Sequence, residues 1–374
     1  MKVEGMKAKR IVFGELGAEL RGYRLRALRP GELLVKARCS LVSIGTETTL
    51  YLSRRWDAVP GTAAGAVPLN DDQWDFEDYG RGDTWDMERN RRFPGYALAG
   101  DVIAVGDGVS DFAVGDRVVA LHHHADLAIV PVQPFITLKV PDGVSYEDST
   151  FCVLGSVSLH AIHRANLRLG EDVVVMGAGL VGLLTVQLAR LNGAMPVIAV
   201  DLSQRRLDLA RQVGADFAIN PNHEDLVAKV REYVGGEGAS CTIEAVGNPA
   251  VLQACMQVCA PGARVVVMGA IVGKIELDMY NEFIFRELTL IASQQPRNPV
   301  EDSIYYHFTG QRNRQTMLDL IERKAINVAD LLTHRVSHRD APEVYRLLGE
   351  AKTADYDARG DVHREMIGVL FEWD

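Results

Sequence analysis

The sequence predicts an α/β fold in which a doubly wound parallel sheet follows a separate β-rich domain. Three observations carry that expectation. Val173–Asp201 reads strand, glycine turn, helix, strand. A regular alternation of strand-like and helix-like segments continues after it. Before residue 150 the pattern is different, with short strand-like runs broken by Gly, Pro and Asp.

Within the N-terminal part, Gly31–Gly45 predicts a strand leading into a turn, and Tyr96–Val109 two short strands meeting near Gly106. Val114–Leu121 and Asp126–Val132 predict further strands. Residues 52–94 form an irregular acidic insertion holding Trp56, Trp74 and Trp85, three of the chain's four tryptophans. So long a connection points to a lid, a binding loop or an oligomer contact, with a solvated surface excursion as the alternative, and its aromatics argue against complete disorder.

The central stretch is the most informative. Val173–Met176 is an apolar run of the kind a buried parallel strand shows, and Leu180–Leu191 is a helix that is apolar almost all round. Between them Gly177, Gly179 and Gly182 give G-x-G-x-x-G. The first glycine permits the turn, the second lets backbone approach a pyrophosphate, and the third lets helix and strand pack closely. Pro196–Val200 is the next strand, and it ends in Asp201, 19 residues past Gly182. A carboxylate there accepts hydrogen bonds from an adenosine ribose and repels a 2′-phosphate, so a Rossmann domain preferring NAD to NADP is expected.

After Asp201, helices are expected over Arg205–Ala215, Glu224–Gly235 and Pro249–Gly262, and strands over Asp216–Pro221, Ser240–Gly247, Ala263–Ile271 and Leu288–Ser293. The strand ends at Gly177, Asp201, Gly247 and Gly269 would then line one sheet edge, where doubly wound folds bind ligands. Residues 316–350 read as mainly helical, returning to the first domain. The expected division is 1–155 for the β-rich domain, 156–300 for the nucleotide domain and 301–374 for the returning segment.

Composition narrows the function class. With 374 residues, 47% of them hydrophobic, the chain can build two domains with substantial cores. A net charge of −10 argues against nucleic acid and anionic membrane as partners. No apolar run reaches membrane-span length, and the first ten residues lack a signal-peptide core, so a cytoplasmic location is expected. The cysteines, Cys39, Cys152, Cys241, Cys255 and Cys259, form no paired framework; Cys255 and Cys259 are expected as core residues of one helix.

Gly115–Val119 (GDRVV), Val140–Ser145 (VPDGVS), Leu159–Ala161 (LHA), Gly177–Gly182 (GAGLVG) and Arg206–Asp216 together resemble the medium-chain dehydrogenase/reductase superfamily, the zinc alcohol dehydrogenases and their relatives. The resemblance covers nearly the whole chain and implies that the β-rich part is a GroES-like catalytic domain. It also implies a homodimer or homotetramer acting on a small-molecule substrate, and the apolar late strands fit that. Where zinc-dependent members carry Cys-Gly-Thr-Asp and Gly-His-Glu, this chain has Ile44-Gly45-Thr46-Glu47 and Gly95-Tyr96-Ala97. The third ligand falls near Val153, beside Cys152, and the four-cysteine structural zinc lobe is absent. A catalytic zinc needs three protein ligands, so no metal site of the familiar kind is expected. Ser43–Glu47 with Pro94–Gly100 resembles a metal-independent branch that includes bacteriochlorophyllide dehydrogenase-like proteins.

By motif position, the resemblance makes Thr46 the hydroxyl that handles the substrate proton. Without zinc another group must stabilise the developing oxyanion, and Tyr96, standing where a zinc ligand is lost, is the first candidate; filling vacated space is the alternative role. Alternation along a strand would put His122 and His124 on one face, which makes His124 a catalytic candidate and the pair a conceivable metal site. Glu47 is expected to orient its neighbours, and His160 to pack. For the cofactor, the resemblance places Gly177, Gly179, Leu180, Val181 and Gly182 on the pyrophosphate, and Asp201, Leu202 and Arg206 around the adenosine. Ala245, Val246, Gly269, Ala270 and Ser293 stand at later strand ends that contact adenine, ribose or nicotinamide.

The leading expectation is a zinc-independent, NAD-dependent oxidoreductase of a secondary alcohol or ketone, with a polyhydroxylated or ring substrate suited to the Trp- and Asp-rich insertion. Two alternatives are a reductase of an activated C=C bond or quinone, whose relatives commonly prefer NADPH, and a catalytically silent NAD-binding protein.

Overall fold

The computed structural model describes residues 2–14, 16–52, 93–271, 273–294, 307–353 and 366–374. The insertion expected over 52–94 therefore lies, from 53 to 92, outside the described residues. In chain order the elements are β1 (Lys7–Gly14), β2 (Gly17–Arg24), β3 (Glu32–Leu41), α1 (Ile44–Leu52), β4 (Ala97–Val105), β5 (Arg117–Ala120), β6 (Leu127–Pro131), β7 (Thr137–Lys139) and α2 (Tyr146–Ala165). There follow β8 (Val173–Met176), α3 (Leu180–Leu191), β9 (Val197–Val200), α4 (Gln204–Gln212), β10 (Phe217–Ile219), α5 (Leu226–Val234), β11 (Ala239–Glu244), α6 (Pro249–Val258), β12 (Cys259–Val267), a π-helical turn (Met279–Ile284) and β13 (Thr289–Ala292). Last come α7 (Gly310–Glu322), β14 (Leu332–Ser337), α8 (Ala341–Thr353) and β15 (Gly368–Glu372).

Two compact units emerge: residues 1–153 with 332–374, and residues 154–331. The boundaries expected at 155/156 and 300/301 thus fall at Val153/Leu154 and Leu331/Leu332, and α7 belongs to the second unit instead of returning to the first.

In the first unit β1 and β2 pair antiparallel, and a seven-stranded sheet runs β14-β15-β3-β4-β5-β7, with β6 also pairing β3. Gly31–Gly45 holds strand β3 as expected, but the strand leads into α1, and Tyr96–Val109 holds the single strand β4. The tail is less helical than expected: Leu332–Ser337 and Gly368–Glu372 are strands, parallel to each other, and β15 pairs antiparallel with β3 through Leu370 and Leu41. Ile11, Phe13, Leu33, Val35, Tyr345 and Phe371 sit in the apolar core between these layers. Burial of such side chains contributes about 1.5–3 kcal/mol each.

The second unit is a parallel six-stranded sheet in the order β10-β9-β8-β11-β12-β13. β8 and β9 are buried at every position, which explains their unbroken apolar sequence. The strand order reverses between β8 and β11, the switch point where such sheets open a crevice for ligands. No helix among the described residues is long and apolar enough to cross a membrane.

Candidate active site and cofactor cradle

At the switch point the glycines do different work. Gly177 follows β8 with φ +103°, a conformation that penalises any side chain. Gly179 caps α3, and a Cβ there would meet nothing within 4 Å, which leaves the helix N-terminus open to a ligand. At Gly182 a Cβ would lie 1.8 Å from the Gly177 carbonyl oxygen, so only glycine lets α3 pack on the turn. Leu180 and Val181 complete the first turn of α3.

Asp201 ends β9 and turns its carboxylate back onto this loop. Oδ2 accepts from the Ala178 N–H at 2.8 Å and Oδ1 from the Ser203 N–H at 2.8 Å. Half-buried Leu202 and Arg206 flank it, Arg206 from within α4. Ala245, Val246, Gly269 and Ala270 follow β11 and β12, and Ser293 follows β13 with its Oγ unpartnered among the described residues. The structure thus brings the predicted cofactor residues to the ends of β8, β9, β11, β12 and β13. An open helix N-terminus, glycines that admit backbone, and a ribose-type acid fit a dinucleotide.

Sequence reasoning missed Glu244 at the end of β11. Its Oε1 accepts from the N–H groups of Val246 (2.9 Å), Gly247 (2.7 Å) and Asn248 (3.4 Å), fixing the turn that carries two cofactor positions. Burial raises its pKa, and those N–H groups oppose the shift. An acid three residues before a glycine, closing an apolar strand, was the available signal.

In the first unit Thr46 lies in the first turn of α1, half-buried, and Tyr96 is buried just before β4. Glu47, fully buried, reaches back so that Oε1 accepts from the Ser43 N–H at 2.7 Å, much as in a capping box. Its Oε2 lies 3.1 Å from His124 Nε2 and accepts from the Tyr345 hydroxyl. His124 Nδ1 lies 2.7 Å from Ser40 Oγ, which also accepts from Trp373 Nε1–H at 2.8 Å.

This corrects the expectation for His124. It has no exposed surface, and both ring nitrogens are engaged by protein groups, so it offers substrate neither donor nor acceptor. The strand argument for His122 and His124 also fails, because β5 ends at Ala120 and residues 121–124 are irregular. His122 turns its Nδ1 to the His123 carbonyl oxygen, 2.8 Å away. Cys255 lies in α6, but Cys259 caps it and opens β12; both thiols are buried, which raises their pKa values.

The donor set does not fit a catalytic zinc of the alcohol dehydrogenase kind. At the positions that the resemblance gives to zinc ligands, the side chains of Ile44 and Val153 offer no donor atom and Tyr96 stands in place of a histidine. Among the described residues no three His, Cys, Asp or Glu side chains gather as a metal site.

A dinucleotide cradle at a parallel-sheet switch point, coupled in one chain to a β-rich unit holding a hydroxyl and a phenol, is the organisation of a nicotinamide-dependent oxidoreductase. The comparisons agree. A family profile described as zinc-binding dehydrogenase matches residues 181–306. D-guloside 3-dehydrogenase of Escherichia coli is 30% identical over 253 residues, covering 67% of this chain and 72% of the relative. L-threonine 3-dehydrogenase of Pyrococcus furiosus is 27% identical over 91% of this chain and 94% of its own. Among solved structures, an Escherichia coli oxidoreductase/dehydrogenase of unknown specificity, involved in membrane biogenesis, superposes with TM-score 0.77 at 19% identity over 99% of this chain and 100% of that one. The Thermus alcohol dehydrogenase TADH gives 0.73 at 21% identity over 98% of this chain and 100% of that one. The chain belongs to the medium-chain dehydrogenase/reductase superfamily and is an oxidoreductase of the alcohol dehydrogenase-like type.

Proposed function

We propose that this protein is an NAD-dependent dehydrogenase that interconverts a secondary alcohol and a ketone without a catalytic zinc. The observation that carries the cofactor preference is Asp201, whose carboxylate faces the glycine turn through the Ala178 N–H and would repel a 2′-phosphate. The absence of donor atoms at Ile44 and Val153 supports metal-independent chemistry.

The residues of this cradle would hold the dinucleotide, whose nicotinamide would supply or accept a hydride. The Tyr96 phenol donates its proton to the carbonyl oxygen during reduction and takes it back during oxidation, while the Thr46 hydroxyl holds that oxygen with a second hydrogen bond. A polyhydroxylated or ring substrate is supported by the similarity to D-guloside 3-dehydrogenase and to the sorbitol dehydrogenase of Bacillus subtilis, which is 31% identical over 47% of this chain. A second copy of the chain is the proposed partner: edge strand β13 exposes Leu290, and the π-helical turn beside it exposes Met279, Tyr280, Ile284 and Phe285. A cytoplasmic setting fits the five free, buried cysteines.

The test is oxidation of a panel of polyols, glycosides and simple secondary alcohols with NAD+ or NADP+, on protein assayed for metal. Turnover with NAD+ at negligible metal content, reduced about 100-fold or more by Tyr96→Phe, is expected. Zinc-dependent turnover would overturn the metal-free reading. Turnover confined to enones or quinones would favour a C=C reductase, and NADH binding without turnover on any panel a silent binding protein.

A further inference from the structure

In the first unit one buried network joins Glu47 to His124, Tyr345 and Ser43, and through His124 to Ser40, Trp373 and Pro94. We propose that this network is the positioning device of the substrate site, in which His124 is held as a neutral Nε2–H donor and the C-terminal segment completes the setting of Thr46 and Tyr96. The inference rests on the reading that those two residues serve an alcohol or ketone.

Donor and acceptor requirements constrain the direction of these bonds. Trp373 Nε1–H can only donate, so Ser40 Oγ accepts from it at 2.8 Å. The Ser40 O–H is then free to donate to His124 Nδ1, at 2.7 Å. The Glu47 carboxylate only accepts, so the ring nitrogen facing its Oε2 at 3.1 Å, His124 Nε2, carries a proton. The opposite tautomer would set a nitrogen lone pair against a carboxylate oxygen. An imidazolium would leave the buried Ser40 proton without this acceptor. Tyr345 adds a further donor to Oε2, and the Ser43 N–H serves Oε1, so the carboxylate accepts from three groups. Burial first, then the Glu47 charge, push the Tyr345 phenol well above its ordinary pKa, so it stays a donor.

The network reaches both candidate residues. Glu47 is next in the chain to Thr46, and its own N–H donates to the Ser43 carbonyl oxygen at 2.8 Å within the same turn. On the other side the His124 N–H donates to the Pro94 carbonyl oxygen at 2.9 Å. Gly95, at φ +112°, lies so close that a Cβ there would sit 2.5 Å from His124 N and 2.9 Å from the ring carbon Cγ. His124 therefore underlies the backbone that presents Tyr96. Loosening such a support by about 1 Å can cost about 100-fold in rate without changing any group that touches substrate.

The test compares wild type with Tyr345→Phe, which keeps the ring and removes one donor, and with Ser40→Ala, which removes one hydroxyl and serves if the first variant does not fold. In folded variants kcat is expected to fall about tenfold or more, with KM for NAD+ within about threefold of wild type. A folded variant with kcat within about threefold of wild type would overturn the proposal. Two further signals are independent of turnover. In 3-fluorotyrosine-labelled protein the Tyr96 19F resonance, assigned with Tyr96→Phe, should move in either variant, and the His124 15N shifts should show the proton on Nε2 and none on Nδ1. An unmoved Tyr96 resonance or an imidazolium at position 124 would equally overturn it. Wild-type protein inactive on every alcohol and ketone would sink the functional reading, leaving these NMR signals to decide the network.

Discussion

At the scale of single residues, the proposed preference for NAD rests on Asp201. Its two oxygens accept from Ala178 and Ser203 N–H groups, so the side chain is aimed by backbone and not by a flexible partner. Asp201→Ala is expected to lower the ratio of kcat/KM for NAD+ over NADP+ by about 50-fold or more, since it removes both ribose recognition and repulsion of the extra phosphate. A ratio unchanged in steady-state assays would show that preference is set elsewhere. Asp201 was legible because its place, at the end of a strand after a glycine fingerprint, is local in sequence. His124 was not. Its expected role depended on a strand reaching residue 124, and its actual partners, Ser40, Glu47 and, through Ser40, Trp373, lie up to hundreds of positions away.

At the scale of elements, the βα units were legible for a similar reason. The central parallel strands β8 and β9 are buried at every position, and helices of this sheet begin at capping residues, as at Asp225, which accepts from the Ala228 N–H, and Asn248, which accepts from the Ala250 N–H. β14 and β15 carry little such signal, because β15 is specified by non-local pairing with β3. The most consequential exposed element is β13 with its neighbouring turn, where Phe285 is 72% and Tyr280 63% exposed. An apolar edge of this kind is ordinarily covered by another chain. Leu290→Arg is therefore expected to shift the protein to monomers in analytical ultracentrifugation while leaving NADH binding within about twofold. A variant sedimenting as wild type would exclude this edge as the contact.

At the scale of the whole molecule, stability should depend on pH through α2. Burial lowers His160 and His163 to about 4 each, with Arg164 adding to the first and His160 and Arg312 to the second. Unfolded histidine titrates near about 6.5, so between about pH 6.5 and pH 4 the unfolded chain binds protons that the folded chain refuses. Stability is accordingly lost as pH falls through that window. We expect Tm to drop by about 5 °C or more from pH 7 to pH 4.5, and less steeply in His160→Gln/His163→Gln. Equal slopes by calorimetry would place the acid sensitivity in other groups.

The first unit draws on both flanks of the chain, whereas the second is one unbroken run, 154–331. During synthesis the second unit emerges whole before Leu332–Asp374 has been made. β3 meanwhile waits for β15, and Ser40 for Trp373, which stands 333 positions further on. Until then one edge of the first sheet lacks its neighbour, and unpaired edges are where nascent chains stick to one another. The order of closure thus runs opposite to the order in which the units begin: the nucleotide unit is the part able to close early, and the unit that begins first finishes last.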